Sequence, residues 1–306
     1  MKIFIPKVKE SWVVDRFRKE WLKNNKDIST NFKFNASIIW LIAPWVWYRT
    51  PIEVLKDKKV VCTIHHIDKS TFFDEIKNFK KLDSIVDAYH VISKKTKNDL
   101  REITKKEIFH MPFWVNQEVW FQIKDKDKLR KKYGFNTEDF LIGSFQRDTE
   151  GSDLVSPKLI KGPDLFIKLV SELYETKKNI KVVLTGTRRQ YIISELNKLN
   201  IPIKYFEMVS QAEVNELYNL LDLYLVTSRI EGGPQSIVEC AQIKTPILST
   251  DVGIASEILD KKSIFNLENF GFAESNIEVA YKNVQQLNIP NGMYKYNRMF
   301  QTVNEN

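Results

Sequence analysis

The stretch SRIEGGPQSIVECAQIKTPILSTDVG, residues 228–253, is the part of the sequence that indicates the fold class. It follows the apolar run of residues 223–227 and crosses a turn at Gly232, Gly233 and Pro234. The pattern then predicts a helix over residues 235–243 and a strand after Pro246. A strand, a glycine-rich turn, a helix and a further strand in this order are typical of a parallel α/β sheet.

Two glutamates lie on this stretch, Glu231 on the turn and Glu239 on the helix. The turn would lie at the carboxyl end of a strand, which is the edge where open α/β sheets bind ligands. The backbone N–H groups of residues 233–235 would begin the helix without intrahelical partners and at its positive dipole end. Such a helix start suits a phosphate group.

The turn and its two glutamates resemble the Glu, seven residues, Glu signature of retaining GT-B glycosyltransferases of family 4 (glycosyl transferases group 1). Residues 246–253 and Glu257 resemble the strand and loop that come next in that family. The resemblance implies an α/β fold of two Rossmann-like, doubly wound domains facing across a cleft. It implies that Glu231 lies by the donor sugar, with a catalytic role, and that Glu239 bonds the nucleotide ribose. The other interpretation is a helix that happens to carry two unrelated glutamates.

Charge and glycine content change near residue 134. Residues 1–135 hold 29 Lys and Arg against 17 Asp and Glu, and all ten glycines lie at Gly134 or later. These shifts predict a domain boundary near residue 134, with a basic first domain over residues 1–133 and a second domain over residues 134–289. The resemblance implies that the first is the acceptor-side domain and that the second binds the donor. The resemblance implies that a segment of about residues 290–306 crosses back to the first domain.

The first half alternates short apolar runs with amphipathic segments, which favours a doubly wound parallel sheet. Strands are predicted at residues 3–5, 36–43, 60–64, 88–92 and 108–111, with helices at 74–84 and 95–103. Residues 6–12 replace the glycine-containing loop that follows the first strand in the resembled family, so no role is assigned to them.

Two histidines, His65 and His66, follow the apolar run of residues 60–64. A similar strand in the resembled family ends in a histidine near the donor sugar, which implies a catalytic role for His65 and an acceptor-side place for His66. A capping or core histidine is the alternative. The chain has four histidines and two separate cysteines, so no metal site is predicted, and the resemblance implies sugar transfer without a metal or cofactor.

Aromatic residues are concentrated in residues 40–49, WLIAPWVWYR. Rings of this kind can stack on the apolar faces of sugars, and we expect Trp40 to be ordinary core. The hypothesis is that four residues line the acceptor side: Trp45, Trp47, Tyr48 and Arg49.

The second half supplies the remaining donor residues. The resemblance places Arg147 and Lys161 on the diphosphate, although residues 148–160 are longer than the usual connection and leave Lys158 as a substitute for Lys161. It also implies that the strand over residues 180–185 reaches the nucleotide and that backbone groups near residue 208 hold the base. The implied donor set is Arg147, Lys161, Gly186, Thr187, Met208, Val209, Gly232, Gly233, Pro234, Gln235, Ser236 and Glu239.

The sequence thus predicts a retaining, metal-independent glycosyltransferase with a UDP- or GDP-type sugar donor. The acceptor is a glycan, a lipid-linked or another hydroxyl compound. The longest apolar run is too short to span a bilayer and no leader pattern is present, so a cytoplasmic protein is expected, with peripheral contact to an anionic membrane left open. Nucleic acid is not expected, because the lysines are scattered among acids. A catalytically silent glycan-binding or partner-binding protein, a nucleotide-sugar epimerase and a phosphorylase remain as alternatives.

Overall fold

The computed structural model describes residues 1–8 and 13–306, so the last four residues of the predicted 6–12 loop lie outside the described residues. The chain forms two compact units. Residues Met1–Trp114 and Ile289–Asn306 make up the first unit, and Val115–Asn288 make up the second. The units therefore divide after Trp114, whereas the composition of the sequence changes near residue 134.

The helices and strands alternate along most of the chain. Residues up to 114 form β1 (Ile3–Phe4), α1 (Val13–Asn24), β2 (Ser29–Thr30), β3 (Ile38–Leu41), α2 (Ile52–Lys56), β4 (Lys59–Ile64), α3 (Phe72–Asp83), β5 (Ala88–Val91), α4 (Lys94–Arg101) and β6 (Glu107–His110). The second unit forms α5 (Lys126–Lys132), β7 (Phe140–Ser144), α6 (Pro163–Thr176), β8 (Ile180–Thr185), α7 (Gln190–Lys198), β9 (Ile203–Phe206), α8 (Gln211–Leu220), β10 (Leu223–Val226), α9 (Gln235–Ile243), β11 (Ile247–Thr250), α10 (Ala255–Ile258), β12 (Ile264–Phe265) and α11 (Ile277–Val284). The last helix, α12 (Asn291–Glu305), belongs to the first unit.

Each unit contains one parallel sheet of six strands. The strand order is β2-β1-β3-β4-β5-β6 in the first sheet and β12-β11-β10-β7-β8-β9 in the second. The direction of winding reverses between β1 and β3 and again between β7 and β10, which makes these places the topological switch points. All residues of β3, β5 and β10 are buried, as expected for parallel strands covered on both faces. The predicted doubly wound α/β class is confirmed.

An aromatic cluster forms the centre of the first unit. Trp21, Trp40 and Trp114 are almost completely buried, and the predicted core position of Trp40 is confirmed. Helix α12 adds Tyr296 and Phe300, whose rings lie 5.4 and 5.2 Å from that of Trp40. Burial of these large rings ties the C-terminal helix to the first unit, since each contributes a large apolar area.

Polar contacts tie residues 115–133 to the second unit. Arg130 on α5 is buried and bonds to the Asp222 carboxylate, while Lys126 Nζ donates to the Leu221 carbonyl at 2.6 Å. The backbone N–H of Phe121 donates to Asn215 Oδ1 at 3.2 Å. Residues 115–133 therefore belong to the second unit, although the first glycine of the sequence comes only at Gly134.

Residues 270–287 are only partly α-helical. Helix α11 begins after Asn276, whose side chain accepts a hydrogen bond from the Val279 N–H at 3.2 Å. Short 3₁₀ turns lie at Phe270–Phe272 and Gln285–Leu287. Among the described residues, no helix is both long and apolar enough to cross a membrane.

Candidate functional site

The side chain of Gln146 joins three segments at the switch point of the second sheet. It follows β7, the strand that pairs with β10. Its Nε2 donates to the Lys161 carbonyl at 2.8 Å, and its Oε1 accepts from Ser228 Oγ at 3.1 Å. In the structure it holds the segment before α6 against the loop after β10.

Lys161 and Glu231, both predicted as site residues, form an ion pair at this edge. Their side chains are only 20% and 15% exposed. Lys161 comes just before Gly162 and α6, and Glu231 lies on the turn between β10 and α9. The fold thus places a cation and a carboxylate, 70 residues apart in the sequence, in direct contact.

Gly162 allows the backbone of this region to pass close to β10. Its φ is +64°, and a Cβ atom there would lie 1.8 Å from the carbonyl oxygen of Thr227. The hydroxyl of Thr227 donates to the Gly162 carbonyl at 2.8 Å. A residue with a side chain would meet both the left-handed backbone and a rigid carbonyl, so only glycine fits without movement.

The turn of residues 231–234 is held on its other side by the loop after β11. Gly253 has a φ of +54°, and a Cβ atom there would lie 2.3 Å from the Gly232 carbonyl oxygen. Thr250 Oγ1 donates to the Ser228 carbonyl at 2.6 Å. The glycine at the end of the Thr-Asp-Val-Gly sequence is therefore needed for close contact between two loops.

Helix α9 begins at Gln235, with Pro234 as its N-cap, as predicted. Glu239 is 5% exposed, and its Oε2 accepts a hydrogen bond of 3.1 Å from the phenol of Tyr218. Burial raises the pKa of Tyr218 well above its ordinary value, so the phenol stays protonated and donates. Ser236 on the first turn bonds to the phenol of the buried Tyr224.

The other predicted donor residues follow neighbouring strands of the same sheet. Arg147 is partly buried after β7, and Gly186 and Thr187 follow β8, with Gly186 at a φ of +88°. Met208 and Val209 follow β9, one strand further from the switch point, and the Met208 side chain is 78% exposed. The structure thus spreads this group along one sheet edge.

In the first unit, His65 and Trp45 lie together at the ends of the neighbouring strands β4 and β3. The His65 ring nitrogen Nε2 donates to the Ile42 carbonyl at 2.9 Å. Its ring centre lies 5.7 Å from that of Trp45, which is 38% exposed. A histidine beside a partly exposed indole can serve both hydrogen bonding and ring stacking.

Trp45, Trp47, Tyr48 and Arg49 share one 3₁₀ helix, Pro44–Arg49. Tyr48 is 64% exposed, and the Arg49 guanidinium lies 5.8 Å from its ring centre while donating to the Val8 carbonyl. Trp47 is half-buried and His66 is exposed. The structure brings the predicted acceptor-side residues to the carboxyl end of the first sheet.

Tyr218 and Arg229 carry contacts at the site that sequence reasoning missed. Tyr218 reaches Glu239 because α8 packs on α9, and no local pattern signals that contact. Arg229 makes two hydrogen bonds to the Asp164 carboxylate, at 2.8 and 2.6 Å. Across residues 1–8 and 13–306, no group of three or more His, Cys, Asp or Glu is placed to hold a metal ion.

Solved structures of similar fold cover almost all of this chain. HepE of Anabaena, in its complex with UDP-glucose, matches with a TM-score of 0.77 and 12% identity over 99% of both chains. Sucrose-phosphate synthase of Thermosynechococcus elongatus matches with a TM-score of 0.69 and 13% identity, over 95% of this chain and 76% of that one. At these identities the likeness concerns the fold, which is GT-B.

A curated relative matches in sequence. The alpha-galactosylglucosyldiacylglycerol synthase of Streptococcus pneumoniae is 26% identical over 166 residues, which are 52% of this chain and 41% of that protein. This chain therefore matches less than half the length of that relative. The family model for glycosyl transferases group 1 matches residues 125–287, which is more than half of the chain and includes the whole site around β7 and β10. The chain belongs to the glycosyl transferases group 1 family.

Proposed function

We propose that this chain is a glycosyltransferase that moves a sugar from a nucleoside diphosphate sugar to a hydroxyl group. The observation that carries the proposal is the Lys161–Glu231 ion pair at the switch point of the second sheet. Glu231 comes shortly before the amino end of α9. Phosphate oxygens require positive charge and N–H donors, and sugar hydroxyls require an acceptor. A lysine, a carboxylate and a helix amino end meet both requirements at one edge of the second sheet.

The donor in this proposal is a UDP- or GDP-type sugar. The family membership supports it, as does the structural likeness to HepE, which was solved with UDP-glucose. Glu239 bonds the ribose, and Glu231 bonds the sugar. Gly186 and Thr187 approach the nucleotide, and backbone groups of Met208 and Val209 hold the base.

The proposed reaction retains the anomeric configuration and uses neither a protein nucleophile nor a metal ion. The bond between the sugar carbon and the diphosphate oxygen breaks, and the acceptor oxygen bonds to the same face of that carbon. The acceptor proton passes to the leaving diphosphate oxygen. Arg147, Lys161 and the backbone N–H groups of Gly233 and Gln235 stabilise the charge that the diphosphate gains.

The acceptor in this proposal is a glycan or a lipid-linked compound with a free hydroxyl. The protein residues that bind this acceptor lie in the 3₁₀ helix Pro44–Arg49 and at His65 and His66. Of these, His65 is the candidate catalytic residue. Support comes from the partly exposed Trp45 ring beside His65. Changing Trp47 or Arg49 to Ala should raise the acceptor KM, whereas Phe34→Ala, at a residue 70% exposed elsewhere in the unit, should not. An unchanged acceptor KM in both variants would remove these residues from the proposal.

A lipid-linked acceptor would place the basic first unit near an anionic membrane surface. The name of the streptococcal relative, which specifies a diacylglycerol glycolipid, supports testing this. Sedimentation with vesicles of neutral or anionic lipid should show salt-sensitive binding to the anionic vesicles only. Transfer to a soluble glycan without any vesicle binding would favour the glycan acceptor instead.

The test of the function is a thermal-shift panel of UDP, GDP, ADP, CMP and TDP with their common sugars. A ligand that binds the folded state raises its melting temperature by mass action. One nucleoside diphosphate should raise the melting temperature more than the others. This increase should be lost in Glu239→Ala and in Arg147→Ala. It should remain in Lys168→Ala, because Lys168 is an exposed residue of α6 that pairs with Glu172. Absence of any shift would support a catalytically silent binding protein, and conversion of the donor sugar without an acceptor would support an epimerase.

A further inference from the structure

Residues 148–158, which lie in the connection between β7 and α6, form a small hairpin. Thr149 and Pro157 pair as an antiparallel bridge, and the Glu150 N–H donates to the Ser156 carbonyl at 3.0 Å. At the tip, Asp153 Oδ1 accepts from the N–H groups of Val155 and Ser156. The hairpin closes where the Lys158 N–H donates to the Asp148 carbonyl at 2.7 Å.

The base of this hairpin is fixed to the segment that follows β8. Asp148 and Arg189 form an ion pair of 2.9 Å in which the side chains are 1% and 0% exposed. The Asp148 N–H donates to the Arg188 carbonyl at 3.0 Å, and the Arg188 guanidinium donates to the Gly151 carbonyl. The returning strand of the hairpin therefore has a defined place near the ends of β7 and β8.

That returning strand ends at Lys158, whose carbonyl accepts a hydrogen bond of 2.8 Å from the Lys161 N–H. The Lys158 side chain is 14% exposed, and burial and then Arg147 lower the pKa of its ammonium, with smaller contributions in the same direction from Lys161 and Arg188. The opposing carboxylate is Glu150, 55% exposed and 3.8 Å away, so solvent weakens its contribution. The Nε of Arg188 is buried without a hydrogen-bond partner in the part of the chain that the structure describes.

Lys161 differs from Lys158 because its charge is already balanced by Glu231. Arg147 has no ion-pair partner among the described residues, and the ion pair of Lys158 is the 3.8 Å contact with the solvent-exposed Glu150. Partly buried cations that lie close together repel each other unless an anion lies between them. A diphosphate carries the charge that would remove this repulsion.

We propose that Lys158, delivered by the 148–158 hairpin, is a diphosphate-binding residue of the donor site, additional to Arg147 and Lys161. This inference rests on the proposed function, since it concerns the same donor. The hairpin thus has a specific task in this chain, which is to add a third cation at the leaving diphosphate. Glu150 competes with the diphosphate for that cation.

The experiment is calorimetric titration of the full chain with UDP and GDP, each beside its monophosphate. For whichever diphosphate binds the wild type, Lys158→Ala should weaken binding about tenfold or more, at least as much as Lys161→Ala. The monophosphate should lose less than about threefold, because it lacks the second phosphate. The matched control is Lys168→Ala on α6, whose side chain is 56% exposed, and it should bind as the wild type does.

Two further measurements separate ligand binding from folding. Lys158→Ala should leave the melting temperature of the unliganded protein unchanged or higher, because it removes repulsion among cations. Glu150→Gln removes the competing carboxylate from an exposed position and should tighten diphosphate binding. If the hairpin had only a structural role, Lys158→Ala and Glu150→Gln would not be expected to change the affinity in opposite directions.

The possible failures are distinct. A wild type that binds neither UDP nor GDP contradicts the proposed function and this inference with it. A wild type that binds a diphosphate, together with a Lys158→Ala variant that binds it as tightly as Lys168→Ala does, contradicts this inference alone. An equal loss for the diphosphate and the monophosphate would also overturn it, because Lys158 would then not act on the second phosphate.

Discussion

The phenol of Tyr218 donates a hydrogen bond of 3.1 Å to the carboxylate of Glu239 inside the second unit. Both side chains are nearly inaccessible to solvent, at 3% and 5% exposure. Tyr218 lies on α8 and Glu239 on α9, so the bond depends on how the two helices pack. Because the carboxylate is the proposed ribose partner, Tyr218 is a candidate positioning residue for it.

Replacing Tyr218 by Phe should therefore weaken binding of a ribonucleotide. A hydrogen bond to a charged group contributes about 1.5–3 kcal/mol, so the diphosphate that binds the wild type should lose about tenfold or more in affinity. Its 2′,3′-dideoxy counterpart, which cannot bond Glu239 through the ribose, should lose much less. Titration of both compounds into each variant measures the difference.

The matched control for that prediction is Tyr174→Phe, since Tyr174 on α6 is partly buried against the hydrophobic core and has the Lys178 ammonium 4.7 Å from its ring centre. It should leave both affinities unchanged. Equal losses for the ribonucleotide and the dideoxy compound in Tyr218→Phe would mean that Tyr218 supports the packing of α8 and α9 and does not act through the ribose.

Replacing Gly162 by Ala should disturb the segment that carries Lys161. The φ of +64° and the Thr227 carbonyl, 1.8 Å from the added Cβ, together require a backbone shift. The left-handed conformation alone costs about 1–2 kcal/mol for a residue with a Cβ atom, so the melting temperature should fall by several degrees. Nucleotide affinity should fall as well. Gly271→Ala is the control, because nothing lies within 4 Å of the Cβ it would add.

Replacing Asp148 by Ala should destabilise the second unit strongly. It leaves the fully buried Arg189 without its carboxylate, and breaking a buried pair in this way costs about 3–5 kcal/mol. Denaturant unfolding measures the loss. Glu172→Ala, which breaks the solvent-exposed Lys168–Glu172 pair, should cost at most about 0.5 kcal/mol. Comparable losses in the two variants would contradict the assigned burial of the Asp148–Arg189 pair.

The stability of the first unit should decrease in acid because of His90. Burial lowers the pKa of this imidazole to about 3, and its ring bonds to Thr63 Oγ1 and to the Met111 carbonyl. The neutral ring is therefore favoured by folding. Its contribution is complete above about pH 6.5 and is lost by about 1.4 kcal/mol per pH unit as the pH falls towards 3.

Proton NMR of the histidine rings tests this expectation directly. The His90 signal should not shift between pH 8 and pH 5, and His66→Gln, at an exposed residue, should leave the acid loss of stability unchanged. A His90 signal that titrates near pH 6.5 would show that the ring is not held neutral in the folded protein.

The sequence by itself determined where individual helices, strands and turns lie. The helix over Gln235–Ile243 and the strand over Ile180–Thr185 have the predicted limits, because Pro234 marks the start of the helix and the mainly apolar run IKVVLT marks the strand. The family resemblance also directed attention to the turn at Glu231. Both signals lie within short stretches of chain, where neighbouring residues alone set the backbone preference.

Contacts between distant segments were decided only by the tertiary structure. Arg130 bonds Asp222, Tyr218 bonds Glu239, and Lys161 pairs with Glu231, although 92, 21 and 70 residues separate the partners. Such pairs form because parallel strands bring their carboxyl ends to one edge and helices pack across the sheet. Side-chain placement of this kind depends on the whole unit, and no periodicity or spacing in the sequence encodes it.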